Sequence, residues 1–193
     1  MCCWCVPNLL VVRVTAKVYR RSDPSDWIKK KLDSFCRPVR YAVDIASGAG
    51  RHSFLLSDIA SDVTAVDRNP ELSNHFRDTH VHFLCIDLER PTWPMEGDLY
   101  DIVLVSNYLY RPHLIDIIEL VSPGGFLVYE TFGDGNERFG KPSNPNFLLK
   151  SGELRSSVGD GFVIIEDFFG EVEEPQHAVK SRFFARRAEY PIE

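Results

Sequence analysis

Apolar runs recur along this chain and alternate with segments of helical pattern. Five of these runs predict buried strands, at 41–45, 63–67, 81–87, 101–107 and 126–130. Near-continuous apolar strands are typical of parallel sheets that are covered on both faces. The remaining pattern predicts helices near 23–35, 51–58, 70–77, 112–120 and 151–157, and an antiparallel hairpin at 162–169 and 178–185. We therefore expect one α/β domain, with Asp23 as the N-cap of the first helix and Pro24 at its first position.

Polar side chains lie at the carboxyl ends of four predicted strands. They are Asp44, Asp67, Asp87 and Asn107. In open α/β sheets, ligands bind outside the carboxyl ends of the strands, where the strand order reverses. Asp44 is followed by small residues through Gly50, and a backbone without bulky side chains lets a ligand approach closely. The sequence therefore predicts a site for a nucleoside-sized ligand at this edge.

This series of strand ends resembles the class I S-adenosylmethionine-dependent methyltransferases over roughly residues 23 to 187. The motifs that carry the resemblance are Asp44 with the turn to Gly50, then Asp67, Asp87 and Pro123-Gly124-Gly125. The segment 129–149 is similar to a bacterial subgroup described as tellurite-resistance-like. One departure is Ala46, which stands where many family members have glycine, and we expect this alanine to keep a negative φ.

The resemblance implies a single Rossmann-like methyltransferase domain at 23–193, after an N-terminal extension at 1–22 of unknown role. Its sheet would be mostly parallel and seven-stranded, with helices on both faces and a C-terminal antiparallel hairpin. It also implies S-adenosyl-L-methionine as cofactor and S-adenosyl-L-homocysteine as product. The residues expected to bind the cofactor are Asp44, Ala46, Gly48, Gly50, Arg51, Asp67, Arg68, Asp87, Leu88 and Asn107.

Three carboxylates have distinct expected tasks under this resemblance. Asp67 would accept hydrogen bonds from both ribose hydroxyls, and Asp87 would accept one from the adenine amino group. Asp44 would pair with the ammonium group of the methionine end. Helix capping after a strand explains Asp67 or Asp87 alone, but not both together with Asp44 and the glycine turn.

The acceptor side has weaker signals. Its candidate residues are Tyr108, Arg111, Glu130 and Asn144. Arg111 would bind an anionic or polar acceptor and Glu130 would be a general base, while capping, loop packing and a structural hydrogen bond explain these residues equally well. The segment 133–150 is long and rich in Gly, Asn and Pro, so we interpret it as a wall or lid of the acceptor site, with disorder as the competing interpretation.

Composition narrows the class of partner. The 193 residues carry a net charge of −6, which favours a small-molecule acceptor over nucleic acid. Three of the five cysteines lie at positions 2, 3 and 5 without a second cluster, so no metal site is predicted and a reduced cytoplasmic chain is expected. No apolar run is long enough to cross a membrane. The acceptor and the oligomeric state are not predicted.

Two alternatives to a small-molecule methyltransferase remain. One is an S-adenosylmethionine-binding protein without catalysis that acts through a partner. The other is an NAD(P)-dependent oxidoreductase, which is less favoured because the segment 48–53 lacks the third glycine of the dinucleotide fingerprint. Asp87 would also have no task in such an enzyme.

Overall fold

The computed structural model describes residues 22–36 and 39–189. The strands are β1 (Val39–Ile45), β2 (Ala60–Asp67), β3 (Val81–Cys85), β4 (Tyr100–Ser106), β5 (Val121–Phe132), β6 (Phe162–Val172) and β7 (Ala178–Arg187). The α-helices are α1 (Asp26–Leu32), α2 (Ser53–Ser57), α3 (Leu114–Glu119) and α4 (Glu153–Val158). Short 3-10 helices lie at Pro70–His75, Arg111–His113, Asn136–Arg138, Pro145–Phe147 and Gly159–Gly161. Cys2, Cys3, Cys5 and most of the expected extension at 1–22 lie outside the described residues.

The seven strands form one sheet in the order β3-β2-β1-β4-β5-β7-β6. Strands β1 to β5 are parallel to one another, whereas β7 is antiparallel to both β5 and β6. The chain moves outward from β1 to β3 and then returns to β4 on the other side of β1. This reversal places the ends of β1 and β4 side by side. The expected fold, with its parallel sheet and antiparallel hairpin, is confirmed.

Alternate residues of the central strands face opposite sides of the sheet, as the period of a strand requires. Val43 and Val103 lie in one buried cluster, which includes Ile117 of α3. Ala42 and Ile102 lie in the other, which includes α1 and α2 side chains. Both faces of the parallel strands are therefore covered, and the apolar runs of the sequence are explained.

Three details of the predicted helices were wrong. The first helix begins at Asp26 rather than Pro24, because Ser25 is its N-cap and accepts a 3.4 Å hydrogen bond from the Ile28 amide. The helix also ends at Leu32 rather than near residue 35. The predicted helix at 70–77 is a 3-10 helix, in which the Ser73 hydroxyl donates to the carbonyl of Pro70 at 2.8 Å. Such local side-chain bonds compete with regular α-helical hydrogen bonding.

The described residues contain neither a candidate membrane span nor a candidate metal cluster. None of their helices combines the length and apolarity that a membrane span requires. Residues 22–36 and 39–189 also contain no group of three or more His, Cys, Asp or Glu side chains arranged to hold a metal ion.

Candidate functional site

The turn after β1 contains three residues with left-handed backbone. Their φ values are 55° at Ala46, 56° at Gly48 and 81° at Gly50. The expectation of a negative φ at Ala46 was therefore wrong. Left-handed backbone costs an L-residue about 1–2 kcal/mol, and the hydrogen bond from the Ser47 amide to the Val66 carbonyl, 2.9 Å long, helps to hold the turn in place.

The two glycines of this turn serve different purposes. A Cβ added at Gly48 would meet nothing within 4 Å, so this position faces open space. A Cβ added at Gly50 would lie 2.6 Å from Cε1 of Phe76 and 3.0 Å from Cε2 of Phe54. Gly48 therefore leaves room for a ligand, whereas Gly50 lets the turn pack against the domain.

Asp44 lies beneath the turn and is only 1% exposed. The Ser53 hydroxyl donates to its Oδ2 atom at 2.6 Å, and burial raises the pKa of this carboxyl to about 7. Ser53 stands at the position of the third glycine in a dinucleotide fingerprint, and it is fully buried here. The Ser53 hydroxyl thus forms a hydrogen bond with Asp44, whereas a glycine at this position would leave space for a close contact between helix and strand.

Asp67, at the end of β2, joins two backbone segments. Its Oδ2 atom accepts a hydrogen bond from the Gly48 amide at 2.9 Å, and its Oδ1 atom accepts one from the Asn69 amide at 3.0 Å. Asp67 therefore does bind backbone amides after its strand, as the capping interpretation expects. Each carboxylate oxygen has two lone pairs, so each keeps the capacity to accept one more hydrogen bond.

A cavity of about 140 Å³ lies at the ends of β2 and β3. Its lining residues are Ala46, Asp67, Arg68, Ile86, Asp87, Leu88, Glu89 and Tyr108. The Oδ1 atom of Asp87 accepts a 3.0 Å hydrogen bond from the Glu89 amide, and Nη1 of Arg68 lies 3.5 Å from Oε2 of Glu89. The Tyr108 hydroxyl is buried without a hydrogen-bond partner among the described residues, and burial raises its pKa.

A second cavity, of about 240 Å³, adjoins the first because Ala46 lines both. It is lined by Ser22, Asp44, Ala46, Ser47, Gly48, Ala49, Arg51, His52, Ser106 and Asn107. Nine of the ten residues predicted to bind the cofactor thus line one of these two cavities, and seven of them are Asp44, Ala46, Gly48, Arg51, Asp67, Asp87 and Asn107. Arg68 and Leu88 line the first cavity as well, and Gly50 is held in packing behind the turn.

Residues 22–25 are tied to the glycine turn by two side chains. The Nε2 atom of His52 accepts a hydrogen bond from the Ser25 amide at 3.0 Å, and burial lowers the pKa of His52 to about 3. Arg51 donates to the Ser22 hydroxyl and the Asp23 carbonyl, both at 3.3 Å, and to the Ser106 hydroxyl at 2.9 Å. A neutral His52 and a charged Arg51 therefore hold the segment before α1 against the site.

A third cavity, of about 580 Å³, lies beyond the second and shares Arg51 and Asn107 with it. It is lined by Asp23, Pro24, Ser25, Asp26, Arg51, Asn107, Glu130, Phe132, Glu174, Pro175, Gln176, Lys180 and Arg182. The lining residues come from the segment before α1, the end of β4, the end of β5 and the β6–β7 hairpin. The antiparallel part of the sheet therefore contributes as much to this cavity as the parallel part.

The buried side of the third cavity is built by cross-strand pairs between β5 and β7. Glu130 lies opposite Arg182, and Phe132 lies opposite Lys180. The Nε atom of Arg182 donates to Oε2 of Glu130 at 2.7 Å, and the Glu130 residue is 3% exposed. The Lys180 ammonium donates to Oδ1 of Asn107 at 2.8 Å and lies 3.6 Å from the centroid of the Phe132 ring.

The structure gives Arg111 a different task from the expected one. Its guanidinium forms two hydrogen bonds to the Glu153 carboxylate, at 2.6 and 2.9 Å. It also donates to the carbonyls of Pro145, Asn146 and Leu148, at 3.3, 3.0 and 2.7 Å. Arg111 therefore fixes the loop before α4 and does not line the third cavity.

The segment 133–150 leaves the carboxyl edge of the sheet as expected, and Gly133 pairs with Leu149 where the segment returns. None of its residues lines the three cavities. Asn144 is exposed and its Oδ1 atom accepts a 3.0 Å hydrogen bond from the Asn146 amide. That this segment walls the acceptor site therefore stays a prediction, whereas residues 174–176 of the β6–β7 hairpin line the third cavity.

Sequence reasoning missed Lys180, Arg182, and residues 174–176. Glu174 belongs to the acidic segment between the two predicted hairpin strands, and it lines the third cavity. One signal was present: Lys180 and Arg182 alternate within an otherwise apolar predicted strand. Two cations on the same face of a buried strand indicate a polar task, because a buried charge without compensation is costly.

Comparison with known proteins extends this picture. No family model and no curated protein sequence matches the chain. Among solved structures, TehB from Haemophilus influenzae is 18% identical with a TM-score of 0.65, and the match covers 82% of this chain and 61% of TehB. The N-methyltransferase NodS from Bradyrhizobium japonicum WM9, in complex with S-adenosyl-L-homocysteine, is 17% identical with a TM-score of 0.60, and covers 82% of this chain and 83% of NodS.

The chain has the fold of S-adenosylmethionine-dependent methyltransferases. The resemblance seen in the sequence is thus confirmed at the level of the fold. The [4+2]-cyclase SpnF has the same fold, with a TM-score of 0.61 at 13% identity over 84% of this chain and 80% of SpnF. Because one fold supports different reactions, the reaction must be argued from the site.

Proposed function

We propose that this chain binds S-adenosyl-L-methionine along the carboxyl edge of its sheet and transfers the methyl group to a small-molecule acceptor. The observation that carries this proposal is the row of three adjoining cavities, with Asp87, Asp67 and Asp44 along the first two. Both the fold and the carboxylates at the strand ends support S-adenosyl-L-methionine as the ligand. The sulfonium of the bound cofactor supplies an already activated methyl group, so the protein mainly orients donor and acceptor.

The first cavity suits an adenosine group. Asp67 keeps one accepting position on each carboxylate oxygen, which matches the two hydroxyls of a ribose. Asp87 is half-buried and suits the adenine amino group as acceptor, with Ile86 and Leu88 beside it. The buried Tyr108 hydroxyl, which has no partner among the described residues, would gain one from the bound nucleoside.

The second cavity suits the amino-acid end of the cofactor. Such a group carries an ammonium and a carboxylate, and this cavity has one carboxylate, Asp44, and one guanidinium, Arg51. Gly48 leaves open space beside them. An ammonium group next to Asp44 would favour the ionised form of a carboxyl whose pKa burial has raised to about 7.

The third cavity suits the acceptor. Its volume of about 580 Å³ lies within the usual range of small-molecule sites. Arg51 and Asn107 form the wall that it shares with the second cavity, so the methionine end of the donor and the acceptor would be neighbours. The net charge of −6 supports a small acceptor rather than nucleic acid.

The site is poorly suited to a nicotinamide dinucleotide. In dinucleotide-binding folds the pyrophosphate is held by backbone amides of the glycine turn. Here the Gly48 amide already donates to the carboxylate of Asp67. Asp67 also lies beside this turn, and its charge would repel a pyrophosphate.

Calorimetric titration tests the cofactor. S-adenosyl-L-homocysteine should bind, whereas NAD and NADP should bind at least tenfold more weakly or not at all. NAD binding that is tighter than S-adenosyl-L-homocysteine binding would overturn the proposal.

Transfer is tested with S-adenosyl-L-methionine labelled at the methyl group and a small-molecule extract. Label should enter low-mass products with the natural chain and not with an Asp67→Ala variant. Intact S-adenosyl-L-homocysteine binding without any transfer would instead support a binding protein that acts through a partner.

A further inference from the structure

Lys180 is a buried cation whose partners are neutral. The residue is 8% exposed, and its ammonium contacts the amide oxygen of Asn107 and the ring of Phe132. Among the described residues, no carboxylate oxygen lies within ion-pair distance of its Nζ atom. A buried ammonium without a compensating charge is unfavourable, so this arrangement indicates a site for an anion.

The charges around Lys180 leave an excess of positive charge on the buried side of the third cavity. Glu130 is the nearby buried carboxylate, and its Oε2 atom is engaged by Arg182 at 2.7 Å. Within the described part of the chain, the partners of Arg51 are two hydroxyls and a carbonyl. The nearby buried charges are therefore one anion, Glu130, and two cations, Arg51 and Arg182. Burial, aided by the two cations and opposed by Glu130, lowers the pKa of Lys180 to about 8.

The rim of the same cavity is acidic. Asp23, Asp26 and Glu174 line it and are exposed. These groups and Glu130 would oppose a dianion such as a phosphate more strongly than a singly charged carboxylate. Phe132 and Pro175 add apolar surface next to the ammonium.

We propose that Lys180 is a specificity-determining residue that binds a carboxylate of the methyl acceptor. The acceptor is then a small carboxylic acid with an apolar body, bound with its carboxylate against the Lys180 ammonium and its body along Phe132. This inference rests on the proposed function, because it takes the third cavity as the acceptor site. A neutral acceptor would leave the ammonium without a counter-charge.

Matched pairs of probes test this proposal. We would titrate benzoate against benzamide, phenylacetate against phenylacetamide, and cinnamate against cinnamamide, using ligand-observed NMR at pH 7. Each carboxylate should bind at least about tenfold more tightly than its amide, the size expected for a hydrogen bond to a charged group. In Lys180→Gln and Lys180→Met the two members of each pair should bind within about twofold of each other, whereas the exposed Lys30→Gln control should keep the preference.

A pH series separates a charge effect from a shape effect. The preference for carboxylates should decline between pH 7 and 9.5 in the natural chain as Lys180 loses its proton, and it should be flat in Lys180→Gln. Equal binding of carboxylates and amides, binding of neither, or a preference that survives in Lys180→Gln would overturn the proposal.

The same titrations are run with and without S-adenosyl-L-homocysteine. Failure of S-adenosyl-L-homocysteine to bind would refute the proposed function. The preference for carboxylates over amides would still be measured on the chain without this ligand, and it would still test the role of Lys180. Normal S-adenosyl-L-homocysteine binding without a carboxylate preference would refute only the role of Lys180.

Discussion

The two halves of the candidate site are built on opposite principles. On the donor side, Asp44 and Asp67 end parallel strands, and Asp67 binds the backbone amides of Gly48 and Asn69. On the acceptor side, Lys180 and Arg182 come from an antiparallel strand and meet side chains of β4 and β5. The first half is acidic, and hydrogen bonds to backbone turns hold its carboxylates in place. The second half has a cationic buried side, and the register between β5 and β7 places its side chains. Substitutions in the two halves should therefore have different effects on stability and on binding.

The largest expected effect is on the donor side, in Gly50→Ala. The added Cβ would lie 2.6 Å from Phe76 in a backbone with φ of 81°, so left-handed strain and overpacking should together lower the free energy of unfolding by about 2–5 kcal/mol. Urea denaturation measures this loss.

Gly48→Ala is the matched comparison for Gly50→Ala. Its Cβ would meet nothing within 4 Å, so only the left-handed strain, about 1–2 kcal/mol, should remain. This variant should weaken S-adenosyl-L-homocysteine binding by filling the open space. Equal stability losses in the two variants would contradict the distinction between a packed and a ligand-facing glycine.

On the acceptor side, Lys180→Met should stabilise the fold. The pKa of Lys180 is about 8 instead of the usual 10.5, so the unfolded chain keeps a proton between these values that the folded chain has released. The free energy of unfolding should therefore rise with pH through this window. Below it, the charged Lys180 costs about 3 kcal/mol, which Lys180→Met should recover at pH 7.

Denaturation of both chains at pH 7 and pH 10.5 measures this difference. The gain in Lys180→Met should be present at pH 7 and nearly absent at pH 10.5. A destabilised Lys180→Met at pH 7 would show that the contacts to Asn107 and Phe132 outweigh the cost of burying the charge.

Asp67→Ala should affect binding more than folding. Loss of hydrogen bonds to a charged acceptor should cost about 1.5–3 kcal/mol, which is about 10- to 150-fold in S-adenosyl-L-homocysteine affinity. Calorimetry measures the loss, and the exposed Asp160→Ala variant is the control. An unchanged affinity in a well-folded Asp67→Ala chain would mean that Asp67 only caps the turns.

The smallest expected effect is the pH dependence of donor binding. An ammonium binds the ionised form of Asp44, and the pKa of this carboxyl is about 7 in the free chain. Below pH 7 binding must displace a proton, so S-adenosyl-L-homocysteine affinity should fall by up to about tenfold per pH unit, or about 1.4 kcal/mol. Affinity should level off above pH 7. Calorimetry at several pH values measures the profile, and an Asp44→Asn variant with the same slope would exclude Asp44 as its source.

The donor half could be predicted because its geometry follows from local rules. Parallel strands bring their carboxyl ends to one edge, so the meeting of Asp44, Asp67, Asp87 and Asn107 required no knowledge of side-chain pairing. The positive φ of Ala46 was not predicted, although the glycine that many members of the resembled family have at this position was a sign of left-handed backbone.

The acceptor half depends on contacts between residues far apart in sequence. Lys180 reaches Asn107, which lies 73 positions earlier, and this contact depends on the register of β7 against β5. Arg111 and Asn144 have polar side chains that could bind an acceptor. In the structure, however, Arg111 is paired with Glu153 and Asn144 is exposed to solvent. Loop composition alone does not reveal which loop covers a cavity, and the hairpin at 174–176 was therefore overlooked.

Arg51 belongs to both halves, since it lines the second and the third cavity. Any occupant that draws its guanidinium toward one cavity changes what the other cavity offers. Equilibrium linkage then requires reciprocity: the factor by which a bound acceptor changes the affinity for S-adenosyl-L-homocysteine is the factor by which S-adenosyl-L-homocysteine changes the affinity for the acceptor. One side chain in a shared wall thus makes the two binding events a single coupled equilibrium.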